Sequence, residues 1–127
     1  DNIPHATVIH FVADDSFNVY FLTKKSSKKY AAIQAHPQVA FVIGSVAVPR
    51  SLQIEGVASE VVHDDRKDEH VAALMNVLAQ HVPGYVPVGK MDGELVLMWI
   101  QPKTVRWNDF SKPALGIENL QVEIPLQ

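Results

Sequence analysis

With 127 residues, 47% of them hydrophobic and 20% charged, the chain is sized for one domain around a single core and is too apolar to be disordered. Its formal net charge of -3 provides no general attraction to nucleic acid or to a membrane surface, so any basic site has to be local. The absence of cysteine excludes a disulfide framework, a thiolate metal site and a cysteine nucleophile.

Residues 4–13, PHATVIHFVA, are rich in Val, Ile and Phe with partial alternation and predict a strand. DDS at 14–16 is a turn and FNVYFLT at 17–23 a second strand, which together predict an antiparallel hairpin. Asp14 and Asp15 are then turn formers and not a catalytic carboxylate pair. From Ser27 to Ala35 the period becomes helical, with Tyr30, Ile33 and Gln34 spaced for one face, and Pro37 ends the helix by disfavouring a helical His36. VAFVIGSVAV at 39–48 is apolar enough for a central strand buried on both faces, and Pro49 stops it. SLQIEGVASEVV at 51–62 places Leu52 and Ile54 on one face and Gln53 and Glu55 on the other, with a bulge at Gly56. Its closeness to the preceding run predicts that the two strands pair.

A second helix is predicted to open at Asp64, with Asp65, Asp68 and Glu69 in its first turns, where the dipole favours acidic groups. Val71, Leu74, Met75, Leu78 and Val82 form its apolar stripe. HVPGYVPVGKMDG at 81–93 reads as the longest loop and ELVLMWIQPKTVRW at 94–107 as the last strong strand, with a short strand at 120–124. Strands in close succession with two interposed helices predict a mainly β chain over 1–127, an antiparallel barrel or α+β domain in preference to a parallel sheet. The opening residues show no signal-peptide pattern and the apolar run Leu95 to Ile100 is too short to span a bilayer, so a cytoplasmic protein is expected.

The first helix breaks the charge rule that the second obeys. TKKSSKKYAAI, Thr23 to Ile33, puts Lys24, Lys25, Lys28 and Lys29 around a helix start, where the partial positive charge disfavours cations by roughly 0.3–1 kcal/mol each. An anion resolves the conflict, because free backbone N–H groups, the hydroxyls of Thr23, Ser26 and Ser27, and the ammonium groups then share one negative centre. A phosphate suits that description. A solvated basic turn fits the composition as well.

The stretch from Pro4 to Gly44, followed by SLQIEGVAS, resembles the FMN-binding split β-barrel of the pyridoxamine 5′-phosphate oxidase-like superfamily, in particular its general-stress-protein-like relatives. The residues that carry the resemblance are Thr23 at a strand end, Ser27-Lys28-Lys29 at a helix start, His36-Pro37-Gln38-Val39 at the helix end, and Ile54-Glu55-Gly56-Val57-Ala58 in a later strand. The resemblance runs from Asp1 to about Trp107 and implies FMN as cofactor. Thr23, Ser27, Lys28 and Lys29 would hold its phosphate, with Leu22 as a backbone contact, His10 and Phe11 beside the ring, and Ser51 where the oxidase has a glutamine. It also implies a homodimer with cofactor sites at the interface, to which Trp107 could come from the partner chain.

Three departures from the family pattern qualify this. Thr7 and Val12 stand where the true oxidase has Arg and Lys, and neither Arg nor His follows Arg106, so donors for a second phosphate are lacking. A true pyridoxamine 5′-phosphate oxidase is therefore not expected. The sequence Asp1-Asn2-Ile3-Pro4 resembles the turn after the family's first strand, which implies a chain lacking that strand and an unpaired sheet edge. The expected activity is an FMN-dependent oxidoreductase acting on a small molecule; the rival is a non-catalytic module that binds or senses flavin, haem or a deazaflavin.

Other candidates carry less. The histidines at 5, 10, 36, 63, 70 and 81 lack metal-ligand spacing, and no metal is expected. Ser26 and Ser27 have no His and acid arranged for nucleophilic catalysis, and a helix cap explains them. Trp99 and Trp107 on a β run read as core or interface, while Tyr85 in the long loop is the aromatic placed to cover a ligand.

Overall fold

Alternating apolar residues make the strands pair antiparallel and share one buried face. The computed structural model describes residues 3–45, 47, 49–61, 69, 72, 73, 76, 77, 80, 94–110 and 121–126. Within them run β1 (Val12–Ala13), β2 (Val19–Lys24), α1 (Lys28–Ala35), β3 (Gln38–Ser45), β4 (Arg50–Glu60), β5 (Leu95–Asp109) and β6 (Gln121–Ile124). The sheet order is β1-β2-β5-β4-β3, with β6 paired to β5. The 15-residue β5 organises the whole, since its first half pairs with β2, its second half with β6, and most of its length with β4 on the other side.

The core lies on one face of this sheet. Val19 and Phe21 of β2, Ile54 and Ala58 of β4, and Val96, Met98, Ile100 and Val105 of β5 are buried there, joined by Ile33 of α1 and Phe41 of β3. Helix α1 is held down by Ile33 and by the Tyr30 hydroxyl, which donates to Glu60 Oε2 at 3.0 Å. That bond, then burial and the Glu60 charge, raise the Tyr30 pKa above its ordinary value. The last turn closes when the His36 N–H donates to the Ala32 carbonyl at 2.9 Å, and Pro37 then prevents a further turn.

Four expectations are corrected. The strand predicted over 4–13 is reduced to Val12–Ala13, with residues 3–8 exposed, because a strand needs a ladder and the described residues provide no neighbour for that stretch. Among the described residues the run from 39 is not a central strand: β3 ends the sheet order, and Val42 on its outer face is 61% exposed. Hydrophobicity alone could not distinguish a strand buried on both faces from an edge strand. Gln34 is exposed and does not share the buried face of α1. No ladder among the described residues joins β1 to β3, so the sheet is open where a barrel was expected.

Other readings agree with the structure. The β3–β4 pairing forms, and the β4–β5 register shifts between Glu55 and Gly56, so that Lys103 is left over between Thr104 and Pro102 as a bulge. In the hairpin, the Asp14 carboxylate accepts from the N–H groups of Ser16 and Asn18 and from the Asn18 side chain. Asn18 in turn accepts from the Trp99 indole at 2.9 Å, tying the turn to β5. Of the second predicted helix, Glu69, Ala72, Ala73, Asn76, Val77 and Gln80 are helical. Its apolar stripe, Asp64, the histidines at 63, 70 and 81, and the loop 81–93 with Tyr85 lie outside the described residues. No described helix is long and apolar enough to cross a membrane.

Candidate functional site

The turn between β2 and α1 brings the lysines and hydroxyls together. Alternation along β2 points Val19, Phe21 and Thr23 to the core face, which leaves Thr23 only 6% exposed at the end of the apolar row. The Thr23 and Ser27 hydroxyls are 2.9 Å apart and share a hydrogen bond. Ser27 is the N-cap of α1, its Oγ accepting from the Tyr30 N–H at 3.1 Å. Replacing Ser27 with alanine removes the cap and the Thr23 partner together, and an exposed-denaturant titration is expected to show a loss of about 1–2 kcal/mol. Faster hydrogen exchange at the Tyr30 amide would locate that loss.

Lys28 and Lys29 occupy the first two helical positions. Their backbone N–H groups have no partner among the described residues, as expected where no preceding carbonyl can reach them. Lys28 is exposed, whereas Lys29 is half-buried with Nζ 5.9 Å from the Phe21 ring centroid, a cation–π distance. Burial pushes the Lys29 pKa below its ordinary value. Among the described residues the salt bridges are Arg50–Asp109 and Arg106–Glu55, so none neutralises the four lysines.

One acidic residue that sequence reasoning missed does reach this turn. Glu94, immediately before β5, accepts through Oε1 from the Ser26 N–H at 3.1 Å and from the Ser26 hydroxyl. Its carbonyl accepts from the Lys25 N–H at 2.8 Å. No signal in the sequence joins Ser26 to a residue 68 positions away; the β2–β5 register does, by setting Lys24 opposite Leu95.

The remaining predicted residues are more scattered. Leu22 alternates away from Thr23 and pairs across the ladder with Leu97, so its side chain is on the other face. His10 is exposed and Phe11 half-buried just before β1, with the Phe11 ring edge-on to Phe41 at 4.8 Å. Ser51 is not brought to the lysine turn. It pairs with Asn108 at the far end of β5 and accepts from the Asn108 side-chain amide at 3.2 Å. An open groove of about 460 Å³ lies over the β4–β5 bulge, lined by residues including Gln38, Glu55 and Lys103, and contains none of the predicted site residues. Among the described residues no cluster of His, Asp and Glu is arranged to hold a metal ion.

Among the described residues the turn therefore offers the two unpartnered amides of Lys28 and Lys29, one hydroxyl proton left over from the Thr23–Ser27 pair, and the ammonium groups of two adjacent lysines, a set of groups that fits a phosphate. Residues 1–108 match the family described as pyridoxamine 5′-phosphate oxidase. The chain belongs to that family. Comparison with curated protein sequences found no significant match. Among solved structures the chain is similar to the General Stress Protein 26 of Bacillus anthracis, with 26% identity and a TM-score of 0.59, covering 82% of this chain and 74% of that one. It is similar to a pyridoxamine 5′-phosphate oxidase-related, FMN-binding protein of Nostoc punctiforme, with 14% identity, a TM-score of 0.59, and coverage of 91% and 69%. It also resembles an FAD-binding protein of Mesorhizobium loti, with 17% identity, a TM-score of 0.64, and coverage of 84% and 76%. Membership of the pyridoxamine 5′-phosphate oxidase family thus accounts for the mainly antiparallel architecture.

Proposed function

We propose that this member of the pyridoxamine 5′-phosphate oxidase family binds FMN through the β2–α1 turn and serves as an FMN-dependent oxidoreductase for a small molecule. The observation that carries the reading is the first turn of α1, where the Lys28 and Lys29 amides are free and the half-buried Lys29 ammonium has no anionic partner among the described residues. Lys28, Lys29, Ser27 and Thr23 would hold the phosphate. Phe11 is committed to the core by its contact with Phe41, and the exposed His10 is the side chain of that segment that would lie beside the ring.

When bound, the flavin supplies hydride and electron transfer, so the chain has only to bind it, orient it and limit water access. A second copy of the chain would complete that enclosure. Trp107 and Val122 are cross-strand partners, 37% and 53% exposed, and Phe110, just past the end of β5, is 56% exposed. Apolar surface of this kind supports a second copy of the chain docking at that end of the sheet, as in a homodimer that completes the cofactor site. The departures at Thr7 and Val12 favour a substrate other than pyridoxamine phosphate.

The test is titration of the protein with FMN and with riboflavin, followed by flavin fluorescence, with sedimentation of the loaded protein. Saturable FMN binding at micromolar concentration or tighter, weaker riboflavin binding and a dimer mass are expected. Absence of saturable FMN binding would sink the proposal; once binding is found, turnover of a reduced nicotinamide with an electron acceptor separates enzyme from binding module.

A further inference from the structure

The first turn of α1 contains no acidic residue, although helices place acids there and this one carries lysines instead. Glu94 makes up for that from another element. Its carboxylate occupies the Ser26 N–H and hydroxyl, one residue before the N-cap, while the Lys25 N–H is bound by its main-chain carbonyl. The carboxylate is thus fixed by hydrogen bonds to the same short turn whose free amides and ammonium groups form the phosphate-compatible donor set. A second negative charge arriving at Ser27, Lys28 and Lys29 would meet it at close quarters, and Ser26 would have no donor left to offer.

We propose that Glu94 is a built-in counter-anion that sets the affinity of the lysine turn for a phosphate-bearing ligand. Without ligand it offsets the concentrated positive charge at the helix start. With ligand it opposes the phosphate, so binding is weaker than the lysines alone would make it. The proposal rests on the reading of this turn as the phosphate site, and it adds a residue acting through charge and through Ser26 without contacting the flavin ring.

Glu94→Gln tests it, because glutamine keeps an oxygen that can accept from the Ser26 N–H while removing the charge. FMN and riboflavin are titrated into the wild type and the variant at low and at high salt. FMN binding is expected to tighten roughly three- to tenfold in the variant at low salt, riboflavin binding to stay the same, and the difference to shrink at high salt. If both proteins prefer FMN over riboflavin by the same factor, or the variant binds FMN more weakly, the role of Glu94 is overturned while the phosphate site stands. If neither protein prefers FMN, both fall. A preference for FMN that emerges only in the variant would support the counter-anion in its strongest form.

Discussion

Replacing Lys28 and Lys29 together with alanine is expected to weaken FMN binding by about 3 kcal/mol, roughly a hundredfold in Kd, and to leave riboflavin binding unchanged. Charge-assisted hydrogen bonds contribute about 1.5–3 kcal/mol each, and the exposed Lys28 belongs at or below the low end of that range. What makes the experiment decisive is that stability should not fall along with affinity. Both lysines sit where the helix dipole disfavours them, and alanine is the better helix former, which offsets the lost contact of Lys29 with Phe21, so the ligand-free variant should be about as stable as the wild type. Lysines kept only as a solvated surface turn would show the same unchanged stability with no change in FMN affinity. Parallel thermal melts and fluorescence titrations read both quantities.

Gly56→Ala is expected to be the most damaging single-methyl change in the described structure. A Cβ added at Gly56 would lie 2.2 Å from the Gln101 carbonyl oxygen and 3.0 Å from the Gln101 carbonyl carbon. The obstruction is the backbone of β5, the strand on which β2, β4 and β6 all depend, so no side-chain rotation can relieve it. Overpacking against an immovable neighbour costs about 3 kcal/mol, corresponding to roughly a 10 °C fall in Tm for a domain of this size. Gly44→Ala is the control. Its nearest neighbour is Ser51 Cβ at 3.4 Å, an ordinary contact, and alanine there should be neutral or mildly stabilising. If both variants melt with the wild type, the tight β4–β5 bulge is wrong.

How much of this was legible beforehand differs from element to element. The helix start at Ser27, its end before Pro37, the β3–β4 pair and the bulge at Gly56 all depend on residues close in sequence: a cap, a proline and a glycine. Such signals act through local backbone preference and are readable without knowing the fold. Edge or centre is a different kind of property. Residues 39–45 read as doubly buried and proved to be an edge, while residues 4–11 read as a strand but have no neighbour to pair with among the described residues. Both depend on which strand lies alongside, and hydrophobicity does not carry that information.

The candidate site divides along the same line. By itself the sequence determined the lysine turn, its hydroxyls and the family pattern, because these lie within a few residues of one another around one helix cap. Only the tertiary structure separated Ser51 from that turn, committed Phe11 to the core, and delivered Glu94 to Ser26. The physical reason is register. Pairing Lys24 with Leu95 places Glu94 beside the helix start, so the acidic group missing from the first turn of α1 is supplied across the sheet.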